Sequence, residues 1–134
     1  MRSRNKGALA EYRFISTAVS LDLKVLKPAV DGYAYDAVVD NGEQFYKIQV
    51  KYASKDKRRK STFQSMLQRK GAANKVYRPY EEQEVDFFAI YIFYIDTFYL
   101  IPYDAVEGIS ISLNPNNSNS KYDIYKHNWK QLLK

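Results

Sequence analysis

Asp36-Ala37-Val38-Val39-Asp40, then Asn41-Gly42-Glu43, then Gln44-Phe45-Tyr46-Lys47-Ile48-Gln49-Val50-Lys51 is the stretch on which the fold turns, because it reads as a β-hairpin with an acid on one strand and an amide and a lysine on the other. The first strand alternates as a pleated segment does, and both Asn41-Gly42 and Gly42-Glu43 are acceptable two-residue loops. With Asn41-Gly42 as the loop, Asp36 lies opposite Lys47; with Gly42-Glu43 it lies opposite Gln49. In either register Asp36, Gln49 and Lys51 share one side of the ribbon, while Ile48 and Val50 share the other. Convergence of Asp36 and Gln49 favours the second register, which sets their Cβ atoms roughly 5 Å apart instead of about 7 Å. That register calls for a type II′ turn with Gly42 first.

Composition bounds what such a hairpin can belong to. The 134 residues suit one domain with a single core of helix and sheet, and an apolar content of 46% argues against disorder. Twenty-one Lys and Arg against fifteen Asp and Glu give a formal charge of +6 and a pI near 9.4, which points to a polyanionic partner. With no cysteine, disulfides, Cys-based zinc sites and thiol nucleophiles are excluded, and an intracellular protein is the expectation. Arg2, Arg4 and Lys6 make the N-terminal stretch basic, but no signal-like or membrane-length apolar run follows, so a soluble, untargeted chain is expected.

Working outward from the hairpin, residues 6–21 have helical spacing, with Ala8, Tyr12, Ile15 and Val19 on one face and Arg13, Thr17 and Ser20 away from it. At about 100° per residue, Glu11 falls roughly 60° from the centre of that stripe, on the margin of the expected buried face. Lys24 to Lys27 is a short strand stopped by Pro28, and Asp31-Gly32 turns the chain into the hairpin. Residues 85–95 are almost continuously apolar, as a strand covered on both faces should be, and Asp96-Thr97 leads into a second hairpin strand at Phe98 to Ile101. Ile109 to Leu113 reads as a further strand, residues 114–120 as a polar loop, and Tyr122 to Leu133 as a final short helix. The sum is a mixed α+β protein without repeats or linkers.

A carboxylate on a strand, a second on a helix margin and a lysine on the adjacent strand are what metal-dependent phosphodiester hydrolysis requires. Two acidic side chains hold a hard divalent cation that keeps several waters and can also bind a substrate phosphate. The cation polarises the phosphoryl group and acidifies water, and a lysine can orient that water or offset developing charge. Gln49 offers only a neutral oxygen, so Glu11 has to supply the missing anionic ligand. This reading requires the helix to pack against the Asp36 face.

Gly7, Glu11, Asp36 within Tyr35-Asp36-Ala37-Val38-Val39-Asp40, and Ile48-Gln49-Val50-Lys51 resemble the PD-(D/E)XK nuclease superfamily, most closely its small homing endonucleases encoded in bacterial group I introns. The resemblance implies a restriction-endonuclease-like αβββαβ core with flanking helices, with Glu11, Asp36, Gln49 and Lys51 as catalytic residues. It assigns Glu11, Asp36 and Gln49 to a magnesium ion. It is carried by residues 7–53, and beyond them only by the order of the elements. Tyr35 stands where the motif has proline, and Gln49 where it has a second acid.

Lys51, Lys55, Lys57, Arg58, Arg59 and Lys60 continue from the proposed catalytic strand, which makes phosphate neutralisation their expected use, with Arg69, Lys70, Lys75 and Arg78 as extensions. Ser61 to Arg69 is expected to form a helix whose Gln64, Gln68 and Arg69 reach base edges. The thirteen tyrosines and seven phenylalanines are expected to serve the core and subunit contacts. The expected activity is sequence-specific, magnesium-dependent cleavage of double-stranded DNA, as in homing. Two nicks then require a homo-oligomer, at least a dimer, and the resemblance favours a tetramer. A junction-resolving or repair nuclease, and a DNA-binding module without cleavage, are the alternatives. The resemblance also implies a cytoplasmic protein working at the bacterial nucleoid.

Overall fold

Phe87–Ile92 is buried at every residue, which places this strand at the centre of the molecule with side chains packed on both of its faces. The computed structural model describes residues 1–70 and 77–134. In chain order its elements are the helix α1 (Ser3–Ser20) and the strands β1 (Lys24–Leu26), β2 (Ala37–Asp40), β3 (Phe45–Tyr52), β4 (Ser54–Lys55), β5 (Phe63–Met66), β6 (Gln68–Lys70), β7 (Tyr77–Pro79), β8 (Phe87–Ile92), β9 (Thr97–Pro102) and β10 (Ser110–Leu113), with short 3₁₀ turns between and after them. The main sheet has the order β1-β2-β3-β8-β9; β3 and β8 run parallel and every other neighbour antiparallel. This is the mixed α+β sheet expected, although α1 is the one α-helix among the described residues.

The hairpin takes the second register. Ala37 faces Ile48 and Asp40 faces Phe45, so Gly42 and Glu43 occupy the centre of the loop. Gly42 has φ +95°, Glu43 is not among the positive-φ residues, and Asn41 Oδ1 accepts the N–H groups of Glu43 and Gln44 at 2.9 and 2.8 Å. A positive φ at the first central position alone is the pattern of a type II′ turn, which a side chain at Gly42 would strain.

Parity along β3 splits the core in two. Ile48 and Val50 join Phe87, Ala89, Tyr91, Phe98 and Leu100 on one face, where α1 packs through Ala10, Phe14 and Ala18 and the chain end packs through Trp129 and Leu132. On the other face, Phe88, Ile90, Ile92, Tyr99 and Ile101 are covered by Ala53, Leu67, Tyr80, Ile111 and Leu113, which come from the small β10-β5-β4 sheet and the segments around it. Ala10 and Ala18 lie one turn either side of Phe14, so the helix approaches the sheet closely enough for Phe14 to reach Phe98 and Trp129, with ring centroids at 5.7 and 5.2 Å.

Four expectations are corrected. The buried stripe of α1 is Ala10, Phe14 and Ala18, whereas Tyr12 and Val19 are 67% and 56% exposed. The stripe is thus turned about 130° from the expected one, and Glu11 lies roughly 60° from its centre on the opposite margin. Secondly, the helix packs against the Ile48–Val50 face, not the face carrying Gln49 and Lys51. Thirdly, Ser61 to Arg69 forms strands β5 and β6, because Ser65 and Leu67 turn inward while Gln64 and Met66 turn outward. Finally, Tyr122 to Leu133 holds two 3₁₀ turns separated by His127 at φ +52°, whose N–H donates to the Phe98 carbonyl at 2.7 Å, so pairing with the β9 edge replaces a continuous helix.

Strand β8 also ends earlier than the apolar run suggests. Phe93–Ile95 is a 3₁₀ turn closed by Asp96 at φ +48°. Among the described residues no helix is long and apolar enough to cross a membrane.

Candidate active site

Strand β2 stops opposite Ile48, whereas β3 runs on to Tyr52, so the β2-facing edge of β3 beyond Ile48 lies open. Asp36, one residue before β2, closes the start of this notch. Its N–H donates to the Ile48 carbonyl at 2.8 Å, and its Oδ2 accepts the Val50 N–H at 2.8 Å. The carboxylate thereby takes the place of a missing strand partner, which fixes its direction. Gln49 and Lys51 enter from one face of the sheet and Glu11 from the margin of the helix on the other. The notch lets groups on opposite faces meet.

They meet in a cavity of about 880 Å³ lined by Gly7, Glu11, Asp36, Gln49 and Lys51 together with Lys55, Lys57, Arg58, Arg59 and Gln64. Lys27 ties Glu11 from outside, Nζ to Oε1 at 3.7 Å. Burial pushes the Asp36 carboxyl up to about 6 and the Glu11 charge adds to this, against the Val50 hydrogen bond and the positive charges of Lys51 and Lys27. Burial likewise holds the Lys51 ammonium below its ordinary value, with Asp36 acting the other way. The Lys51 Nζ sits 5.5 Å from the centroid of the Tyr80 ring, which is itself held edge-on against Phe88. Burial and the Asp36 charge push the Tyr80 hydroxyl up to about 12.

The donor set fits a hard divalent cation. Two carboxylates are crowded together at the end of a water-accessible cleft, and the Gln49 Oε1 accepts no hydrogen bond among the described residues while its Nε2 donates to the Val50 carbonyl at 3.3 Å. No cluster of three or more His, Cys, Asp and Glu able to hold a metal occurs among the described residues.

The outlying candidates divide. Lys55, Lys57, Arg58, Arg59 and Gln64 line this cavity, whereas Lys60 lines a neighbouring one. Gln68 is on neither wall, and Arg69 is spent on the Glu84 carboxylate at 2.7 Å and the Gly32 carbonyl at 2.8 Å. Arg78 pairs with the same Glu84 at 2.8 and 2.9 Å, and Lys75 lies outside the described residues. Paired arginines that hold the β6–β7 strand pair to the 3₁₀ turn at Glu82–Glu84 are a structural clamp. Three contributors lie outside the motif: Lys27, Tyr80 and Asp56. Asp56 accepts the Arg58 N–H at 2.8 Å and pairs with Arg59 at 3.6 Å, so it shapes the basic turn; the signal for it is an acid two residues before the basic pair, as in an Asx-turn.

No curated protein sequence matches the chain. Among solved structures it is similar to the bacterial homing endonuclease I-Ssp6803I, with a TM-score of 0.86 and 26% identity over 99% of this chain and 94% of that one. It also shares the fold of Hjc, a Holliday junction resolvase from the archaeal hyperthermophile Archaeoglobus fulgidus, with a TM-score of 0.57 and 15% identity over 89% and 88% of the two chains. The PD-(D/E)XK endonuclease family model matches residues 1–131, and the chain belongs to that family.

Proposed function

We propose that this nuclease is a sequence-specific homing endonuclease that hydrolyses double-stranded DNA with magnesium, using Glu11, Asp36, Gln49 and Lys51. The observation that carries the reading is the convergence of these four side chains, from a helix, a pre-strand residue and one strand, in one cavity that Lys55, Lys57, Arg58 and Arg59 also line. The structural likeness to a homing endonuclease over nearly the whole of both chains supports it. The whole chain acts as one nuclease domain in this account.

Glu11 and Asp36 hold the cation, and Gln49 adds its amide oxygen. The bound cation supplies charge that polarises the scissile phosphoryl group and acidifies the attacking water. Asp36 is directed by the Val50 N–H, which its Oδ2 accepts at 2.8 Å. Lys51, kept in place beside the Tyr80 ring, orients the water and offsets the charge that develops on the phosphoryl oxygens. Lys55, Lys57, Arg58 and Arg59 neutralise flanking phosphates along the same cavity.

One such site cuts one strand, so a double-strand break needs two copies related by a two-fold axis. A dimer is the minimum and a tetramer the favoured assembly. The exposed apolar residues Tyr12 and Val19 on the outer face of α1 offer surface for such contacts. Incubation of a duplex library and of a four-way junction with the wild-type protein and magnesium tests the reading. A single long site cut on both strands supports it; preference for a four-way junction over every linear duplex makes the protein a resolvase, and salt-sensitive binding without cutting makes it a binding module.

A further inference from the structure

We propose that a second cavity, beside the catalytic one, binds a nucleotide of the DNA strand that leaves the active site, with its base stacked on Tyr94 and its phosphates held by Lys6, Lys55 and Lys60. The inference rests on the nuclease reading and extends it to a site that the motif does not contain. The cavity measures about 420 Å³, within the range of small-molecule sites. It adjoins the catalytic cavity along the exit of β3, since Tyr52, Ser54 and Lys55 line both. A strand crossing the catalytic residues meets it next.

Its chemistry is that of a nucleotide site. Three lysines line it and no carboxylate does, and none of the three forms a salt bridge among the described residues. In the catalytic cavity, by contrast, Asp56 and Arg59 pair and Glu11 is tied to Lys27. The floor is aromatic: Tyr52 and Phe93 meet at 6.0 Å with their planes inclined at 69°, and the Lys6 Nζ lies 6.0 Å from the Tyr52 centroid. Tyr94 stands on the 3₁₀ turn between β8 and β9, is 87% exposed, and its hydroxyl makes no hydrogen bond among the described residues. The fold leaves the Tyr94 ring uncovered beside three lysines, and a base can cover it, because stacking on an aromatic face tolerates any sequence and contributes about 1–3 kcal/mol. Asn116 also lines the cavity and carries an amide that can pair with a base edge.

The test is fluorescence anisotropy of a fluorescein-labelled eight-nucleotide oligodeoxythymidine, titrated in EDTA over a range of salt with the wild type, Tyr94→Ala, Tyr94→Phe and Lys60→Ala. Tyr94→Ala should weaken binding roughly 5- to 150-fold with the salt slope unchanged, and Tyr94→Phe should bind as the wild type. Lys60→Ala should lower the slope by about 0.7. Equal affinity of the wild type and Tyr94→Ala overturns the proposal. So does a change in sedimentation of the free Tyr94→Ala protein without loss of affinity, which makes Tyr94 a subunit contact. Binding in EDTA is independent of cutting, so absence of magnesium-dependent cleavage with the Tyr94 effect intact overturns the nuclease reading alone.

Discussion

Replacing Asp36 by Asn should make the metal-free protein more stable while abolishing cleavage. Burial and the neighbouring Glu11 charge raise the Asp36 carboxyl from 3.8 to about 6, so the folded protein holds its proton more tightly than the unfolded chain does. The stability that the neutral acid contributes is present below pH about 4 and is lost as pH rises through about 6. At pH 7.5 the ionised Asp36 therefore costs at most about 3 kcal/mol. Asparagine is neutral throughout and its Oδ1 can still accept the Val50 N–H. For a chain of this length 3 kcal/mol corresponds to a rise in Tm of about 10 °C. The assay is thermal and urea unfolding of both proteins in EDTA from pH 4 to 8, repeated with magnesium. The gap should be near zero at pH 4, open between pH 4 and 6, and stay constant above; magnesium should then raise the wild type and leave Asp36→Asn where it was. Equal stabilities at pH 7.5 in EDTA, or a gap that closes as pH rises, would refute the reasoning.

Other perturbations follow from the same geometry. Glu84→Gln removes the charge that clamps Arg69 and Arg78 and should cost about 2 kcal/mol in urea unfolding near neutral pH. The Arg78 hydrogen bonds hold the Glu84 carboxyl down to about 2, so the clamp's contribution is full above pH 4.5 and is lost as pH falls toward 2; a gap between wild type and Glu84→Gln that persists unchanged at pH 2 contradicts this. Phe14→Ala empties the contact with Phe98 and Trp129 and should lower stability by about 3–5 kcal/mol, whereas Tyr12→Ala on the same helix should change the unfolding of the monomer by less than about 0.5 kcal/mol. Gly42→Val forces a branched side chain to φ +95° and should cost about 1–3 kcal/mol by the same measurement.

What the sequence made legible is what parity and turn chemistry control. Turn chemistry alone allows two hairpin registers, since Gly42 suits either loop; the requirement that Asp36 and Gln49 converge selects the observed one, and the shared side of Gln49 and Lys51 follows from a period of two. Glu11 sits on a helix margin, but for a different reason from the one hydropathy suggests. The apolar bulk of Tyr12, Ile15 and Val19 outweighs Ala10 and Ala18 in any hydropathy count, yet close approach of helix to sheet selects the small residues around Phe14. Glu11 lies between the two stripes, so it borders either. The strands at 63–66 and 68–70 were hidden because the inward residue Ser65 is as polar as the outward Gln64, which erases the alternation. The notch beyond Ile48 is a property of unequal strand lengths, and no local pattern announces it. Nor does any pattern bring Tyr80 from the far side of the β6–β7 strand pair to Lys51.

The central claim is that Asp36 and Lys51 perform phosphodiester hydrolysis in the notch at the end of β2. The measurement that tests it most directly is magnesium-dependent cleavage of a duplex DNA library by wild type, Asp36→Asn and Lys51→Ala, with binding of the same DNA followed in parallel. The account predicts cutting by the wild type that vanishes in both variants and in EDTA while binding persists. Cutting that survives unchanged in either variant would contradict it.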